Sequence, residues 1–334
     1  MKKLRILLVG FGFMGQTHAG NILKEPLTEL AGIVDCHPPA GRLRSIRGNT
    51  ASVFIRPEDV AGVPHYTDMG EAFERSEADA CIVALPTKLH CPAVLRALEH
   101  GLHVMVEKPF AVREEECREM VQAAEKAGKV LAVGYIMRHS PEALRLRQYI
   151  RDHTLGDLKF MLLRRMTGMP DWGDWRKAEF IRESGGGLFD LMSHDIDFAR
   201  FSLGEPEDVS VDPLVGEAFG GNLISAVLQY PGCRVWIQGG FVTPSGYPFR
   251  KGYDAWFENG ALQSSGSGSC TLIRGSEVLQ ERMEPCSSYR NELHGFAEAV
   301  LSGDLSGICS GADAAETVRL CHRIAGKINF RGKE

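Results

Sequence analysis

The chain has 334 residues, which suits two domains better than one ordinary core. With 44% hydrophobic and 24% charged residues and a formal net charge of -5, it has a globular make-up without the basic surface that nucleic acid or an anionic membrane requires. No apolar run approaches the roughly 18–20 residues of a membrane helix, and nine scattered cysteines without a C-x-x-C pair fit reduced cytoplasmic thiols better than a disulfide framework or a zinc ribbon.

The first ~135 residues alternate short apolar runs with helical patterns, as a parallel sheet with crossover helices does. The opening Met1-Lys2-Lys3-Leu4 resembles a signal peptide briefly, but its apolar stretch ends at once in Gly10-Phe11-Gly12, so it reads as a strand. Strands are expected at Arg5–Val9, Leu30–Val34, Ala80–Ala84, Val104–Val106 and Val130–Val133. Helices are expected at Met14–Lys24, Cys91–His100 and Glu114–Ala127, with Asp68 capping a short helix through Phe73.

After Gly134 the pattern changes. A helix at Glu142–Arg151 precedes a strand at Leu158–Arg165 and a helix at Leu188–Leu203 that stops at Gly204. From Val209 to Ile273, apolar and alternating runs read as an antiparallel sheet: Leu223–Tyr230, Arg234–Gly239, Ala255–Glu258 and Thr271–Ile273. Ser264–Ser269 reads as a hairpin loop. Helices at Arg290–Leu301 and Ala312–Ile328 close the chain. The expected architecture is a doubly wound Rossmann sheet over residues 1–135, then an α+β domain over 136–334. That domain carries a large, mostly antiparallel open sheet covered by helices on one face, and the last helix can pack back on the first domain.

Gly10-Phe11-Gly12-Phe13-Met14-Gly15 fits G-x-G-x-x-G between an apolar strand and a helix. Gly10 allows the tight turn, Gly12 lets a pyrophosphate approach the backbone, and Gly15 lets helix pack on strand. The helix N-terminus then offers N–H groups to phosphates. Asp35 ends the second strand twenty residues after Gly15, where an acid accepts hydrogen bonds from the ribose hydroxyls. Its charge repels a 2′-phosphate, so NAD is favoured, with NADP still open because Arg42 and Arg44 follow closely. A strand–turn–helix with a solvated Asp is the bland alternative.

Two further strand ends carry polar residues: Leu85-Pro86-Thr87 with His90, and Glu107-Lys108-Pro109. Ligands of doubly wound sheets bind beyond the carboxyl ends of the strands, so both segments face the nicotinamide end of the cofactor. A surface lysine after a strand is the structural alternative for Lys108. Together with Gly134-Tyr135, Arg138, Pro141, Gly186-Gly187, Asp190 and His194, these motifs resemble the glucose–fructose oxidoreductase/inositol dehydrogenase/MocA (Gfo/Idh/MocA) family from Ile6 to about Gly204. Beyond Gly204 only a general strand pattern matches. The resemblance implies that Lys108 contacts substrate and nicotinamide, and Glu107 either orients Lys108, binds the nicotinamide ribose or is structural. Pro109 can follow a cis bond.

On the helix that opens after Gly187, Asp190, His194 and Asp197 fall in one stripe at about 100° per residue, and Asp195 points nearly opposite. A histidine between two carboxylates suits proton exchange near neutral pH. The resemblance implies substrate binding and proton transfer by Asp190 and His194, with His194 as main acid/base and Lys108 polarising the hydroxyl; a Lys108-centred relay is the alternative. A purely structural histidine is the alternative. A metal is not expected, because no further His or Cys stands at ligand spacing. Trp172, Trp175 and Arg176 suit a sugar ring or simply pack the loop. Arg138 is expected near the cofactor or as a brace, beside Tyr135 and His139. His18 and His90 are expected at helix-end hydrogen bonds, and Tyr247 and Tyr253 near the substrate pocket.

The function expected is hydride transfer between a secondary alcohol of a sugar, sugar derivative or cyclitol and NAD or NADP. Two other classes stay open: a glycoside-cleaving enzyme that uses tightly held NAD through a transient keto-sugar, and a non-enzymatic dinucleotide sensor. An open sheet face and the family both imply a cytoplasmic homodimer or homotetramer.

Overall fold

The computed structural model describes residues 3–43, 55–170, 177–212, 222–242, 245–284 and 286–328. The chain forms two compact units, one of residues 1–135 with 287–315 and one of 136–286 with 316–334.

The first unit holds six parallel strands: β1 (Leu4–Val9), β2 (Thr28–Val34), β3 (His65–Tyr66), β4 (Ala80–Val83), β5 (His103–Val106) and β6 (Leu131–Val133), ordered β3-β2-β1-β4-β5-β6. β4 is buried throughout and β1 nearly so, as expected of strands with helices on both faces. The order reverses between β1 and β4, which opens a crevice at their carboxyl ends. The helix Phe13–Ile22 follows β1 and the helix Met69–Arg75 starts at Asp68, whose carboxylate accepts from Glu71 N–H. β3 escapes a sequence reading because it is two residues long.

The helix Ser288–Ser302 belongs to this unit. Its Leu293, Phe296 and Ala297 are fully buried in one core with Phe11, Ala19 and Ile22. Burying each large apolar side chain contributes roughly 1.5–3 kcal/mol, which holds the helix on the Rossmann sheet although residues 136–286, all belonging to the other unit, precede it. In the helix Gly311–Ala325, residues to Ala315 belong to this unit and those from Glu316 onward to the other.

The second unit is built on eight strands: β7 (Leu158–Gly168), β8 (Asp208–Val211), β9 (Leu223–Tyr230), β10 (Cys233–Val242), β11 (Arg250–Phe257), β12 (Gly260–Ser264), β13 (Ser269–Arg274) and β14 (Glu277–Arg282). Their order is β14-β13-β12-β11-β7-β10-β9-β8, antiparallel except for the central β7–β10 pair. β9 alternates half-buried and buried residues, as one covered face requires. β14 is exposed along almost its whole length and has no apolar alternation, so its pattern gave no strand signal. The Ser264–Ser269 segment is the β12–β13 hairpin. The helix expected at Leu188–Leu203 starts as a π-turn over Leu188–Met192 and becomes α-helical at Ser193–Leu203. A Cβ on Gly187 would run into the Asn222 carbonyl oxygen, so the chain crosses the sheet here at glycine-only distance.

Candidate active site

In the first unit the glycine turn is shaped by contact with β4. Gly10 has φ +95°, and a Cβ there would lie 2.5 Å from the Ala84 carbonyl oxygen. A Cβ on Gly15 would strike the Gly10 carbonyl oxygen. Gly12 differs, since a Cβ there meets nothing within 4 Å among the described residues. Gly12 caps the helix without a side-chain cap, and no acidic residue sits in the first turn. The positive end of the helix therefore presents backbone N–H groups over open space, as a pyrophosphate requires. The Phe11, Phe13 and Met14 backbone completes this turn.

Asp35 stands beside the turn at the end of β2. Its Oδ2 accepts from Phe11 N–H at 2.8 Å, and its Oδ1 accepts from His37 N–H at 2.9 Å and Arg42 Nε at 3.2 Å. Burial pushes the carboxyl up, but the Phe11 and His37 amides and the Arg42 guanidinium outweigh it, so the group titrates below its ordinary value. A carboxylate here favours a ribose diol, and Arg42 puts a cation within reach of the same spot. Arg44 lies outside the described residues. These features fit a nicotinamide dinucleotide.

The β4 and β5 ends are tied together by His90. Its buried ring places Nε2 2.9 Å from the Leu85 carbonyl and Nδ1 3.0 Å from the Pro109 carbonyl. The imidazole thus clamps the Leu85-Pro86-Thr87 loop to the Glu107-Lys108-Pro109 loop. Burial lowers its proton affinity. The Lys108–Pro109 bond is cis. Glu107 is buried, with Oε1 2.7 Å from His18 Nε2, and its Oε2 accepts from the Lys108 N–H at 3.2 Å. Burial raises this carboxyl, but the His18 bond and the neighbouring Lys108 charge help bring it below its ordinary value. Lys108 is half-buried.

In the second unit, the helix Ser193–Leu203 is buried on every side from Ser193 to Arg200. Asp197 accepts from Arg138 Nε at 2.8 Å and Nη2 at 2.7 Å, and from Thr317 Oγ1 at 3.0 Å. On the opposite side, Asp195 accepts from Arg165 Nε at 2.7 Å. Burial raises the Asp195 carboxyl, and Arg165 opposes that shift. Arg138, expected near the cofactor or as a brace, spends its guanidinium on Asp197. Asp190 is half-buried in the π-turn, and His194 is 8% exposed. Burial and Arg138 push His139 down to about 4, which leaves it neutral near pH 7.

Tyr253 is buried and donates to the Glu142 carbonyl at 2.9 Å, whereas Tyr247 is exposed. Both line a polar pocket of about 720 Å³ in the second unit, with Arg164, Lys251 and several hydroxyls. Trp172, Trp175 and Arg176 lie outside the described residues. Arg165 and Thr317 escaped the sequence reading because each owes its place to a partner distant in the chain, and Glu292 because its burial comes from the packing of its helix on the first unit. Among the described residues no group of three or more His, Cys, Asp or Glu side chains could hold a metal, and no helix is long and apolar enough to cross a membrane.

A family model described as an oxidoreductase family with an NAD-binding Rossmann fold, GFO_IDH_MocA, matches residues 4–135. A GFO/IDH/MocA C-terminal domain model matches residues 143–263. The rhizopine catabolism protein MocA of Rhizobium meliloti is 31% identical over 61% of this chain and 59% of its own length. The 2,7-anhydro-N-acetylneuraminate hydratase of Mediterraneibacter gnavus is 31% identical over 66% of this chain and 56% of its own. The chain thus spans less than two thirds of these two relatives. It spans 92% of the myo-inositol 2-dehydrogenase of Thermotoga maritima, at 26% identity over 93% of this chain. The aldose-aldose oxidoreductase of Caulobacter crescentus complexed with glycerol shares the fold, with TM-score 0.82, 21% identity and 98% of each chain covered. The chain belongs to the Gfo/Idh/MocA oxidoreductase family.

Proposed function

We propose that this Gfo/Idh/MocA oxidoreductase transfers hydride between a secondary alcohol of a sugar, sugar derivative or cyclitol and a nicotinamide, NAD in preference to NADP. The observation that carries the reading is the division of labour on the helix Ser193–Leu203. Asp195 and Asp197 each hold an arginine, so His194 is the group on that helix suited to exchange a proton near neutral pH. The bound nicotinamide supplies the hydride acceptor. His194 takes the hydroxyl proton as the alcohol carbon becomes a carbonyl. Lys108 polarises and positions that hydroxyl, and Asp190 binds the substrate and helps hold His194. Trp172, Trp175 and Arg176 belong to the same proposal as substrate contacts.

The test is a panel of sugars and cyclitols with NAD or NADP, followed by the absorbance of the reduced nicotinamide. Turnover by the wild type, with losses of roughly 10²–10⁴-fold in kcat for Lys108→Ala and His194→Ala, is the expected result. Activity that survives both substitutions refutes the assignment. A relative named a hydratase supports one further reading, in which tightly held NAD is reduced as the sugar hydroxyl becomes a keto group and is restored within the same turnover. Product without net reduced nicotinamide would decide for it.

We place the protein in the cytoplasm as a homodimer or homotetramer. Among the described residues no disulfide joins any of the nine cysteines. On the sheet of the second unit, Phe160 packs edge-on to Trp236 and at a tilt to Trp256, and both tryptophans are 43% exposed. A second copy covering this aromatic patch would remove it from water.

A further inference from the structure

Glu292 has no place in the mechanism above, yet it is 3% exposed and both its carboxyl oxygens lack a hydrogen-bond partner among the described residues. It sits one turn after Tyr289 on the helix Ser288–Ser302. The Tyr289 ring meets His18 edge-on, with centroids 6.3 Å apart. His18 is fully buried, gives its Nε2 side to Glu107, and has no partner for Nδ1 among the described residues. Two carboxyl groups and an imidazole therefore share one dry region of the first unit.

We propose that Glu107 and Glu292 form one buried carboxyl pair that carries a single negative charge, that the His18 bond places this charge on Glu107, and that His18 thereby acts as a positioning residue for Lys108. Two carboxylates sharing a water-poor site do not both ionise. Hydrogen bonding decides which one does. Glu107 has a donor on each oxygen, the His18 imidazole and the Lys108 amide, while Glu292 has none among the described residues. The groups facing Glu107 are His18 and His90 from two helices, Lys108 from its own loop and Glu292 from a third helix. Burial, with Glu107 beside it, raises the Glu292 carboxyl well above its ordinary value. The result is a fixed anion next along the chain from the lysine proposed to polarise the substrate.

This inference rests on the reading of Lys108 as a reactive group, but its test needs neither cofactor nor substrate. The full chain is labelled with acetic anhydride across a pH series, and Lys108 acetylation is read by peptide mass spectrometry. His18→Phe removes the donor to Glu107, which then takes up a proton. The Lys108 labelling midpoint is expected to fall by about one pH unit, roughly a tenfold gain in its reactivity at fixed pH. His18→Asn, which keeps a donor, restores the wild-type profile. Glu292→Gln exchanges one neutral group for another and leaves that profile in place. Its Tm gain over the wild type grows with pH. A carboxyl whose folded pKa is raised costs the wild type stability as pH climbs from the ordinary glutamate value of about 4.3 to the folded one. A His18→Phe profile superimposed on wild type overturns the proposal, as does a Glu292→Gln Tm curve parallel to it. If His18→Phe does not fold, the Glu292→Gln profile and Tm curve decide alone. A sugar panel without turnover would not touch either result.

Discussion

Gly12→Ala and Gly10→Ala make a paired test of the dinucleotide cradle. Gly12 has φ -72° and ψ -164°, which alanine adopts freely, and its added Cβ meets no described atom within 4 Å. Two small terms oppose each other. Alanine restricts the unfolded chain, worth about 0.4–1 kcal/mol, and caps a helix less well than glycine by a similar amount. The folded protein should therefore stay within about 1 kcal/mol of wild type. The methyl group, however, fills the space over the helix N-terminus that a pyrophosphate needs. NADH affinity, read by fluorescence titration, should fall at least about tenfold, or 1.4 kcal/mol. Gly10→Ala is the contrast. Its φ of +95° is strained for alanine by about 1–3 kcal/mol. Its Cβ would also sit 2.5 Å from the Ala84 carbonyl oxygen, nearly an ångström inside ordinary contact, an overlap of about 1–3 kcal/mol. The total is about 2–6 kcal/mol, visible as a lowered Tm without any ligand. A Gly12→Ala protein that folds and binds NADH like wild type would refute this account of the turn.

Asp35→Asn should raise the NADPH-to-NADH affinity ratio at least about tenfold, and Arg42→Ala should lower it; unchanged ratios in both titrations would remove these residues from cofactor choice. Because the folded Asp35 carboxyl titrates below its ordinary value, it adds stability above about pH 3.9 that is lost as pH falls through the folded value. The acid limb of Tm against pH should accordingly be shallower in Asp35→Asn. Arg138→Met strands Asp197, whose side chain is fully buried, and should cost about 3–5 kcal/mol in urea unfolding. Adding Asp197→Asn should recover much of that loss, and additive losses would show the pair to be uncoupled. Trp236→Ser with Trp256→Ser should reduce the light-scattering mass to that of one 36.7 kDa chain, and an unchanged oligomer would move the interface elsewhere.

Local chemistry explains how much was legible in the chain itself. The glycine turn, Asp35 and the Glu-Lys-Pro motif all lie at the ends of short apolar strands, where periodicity and spacing suffice. The helix Glu114–Ala127 was bounded correctly because three glutamates open it and Gly128 closes it in the left-handed conformation. The stripe argument separated Asp195 from Asp197, and the structure does place them on different arginines. It could not say that those arginines would be Arg165 and Arg138, since no local signal links β7 to a helix thirty residues on. β14 and β3 went unread because one is exposed on both faces and the other is two residues long. The sequence by itself determined the cofactor fold, because the glycine turn and the apolar strands around it depend on residue type at fixed spacing. Tertiary structure alone decided which partners the polar side chains meet. The helix Ser288–Ser302 returns to the first sheet and brings Glu292 near Glu107, and Thr317 and Arg138 converge on Asp197. Burial and long-range pairing set those surroundings, and neither is written in any window of neighbouring residues.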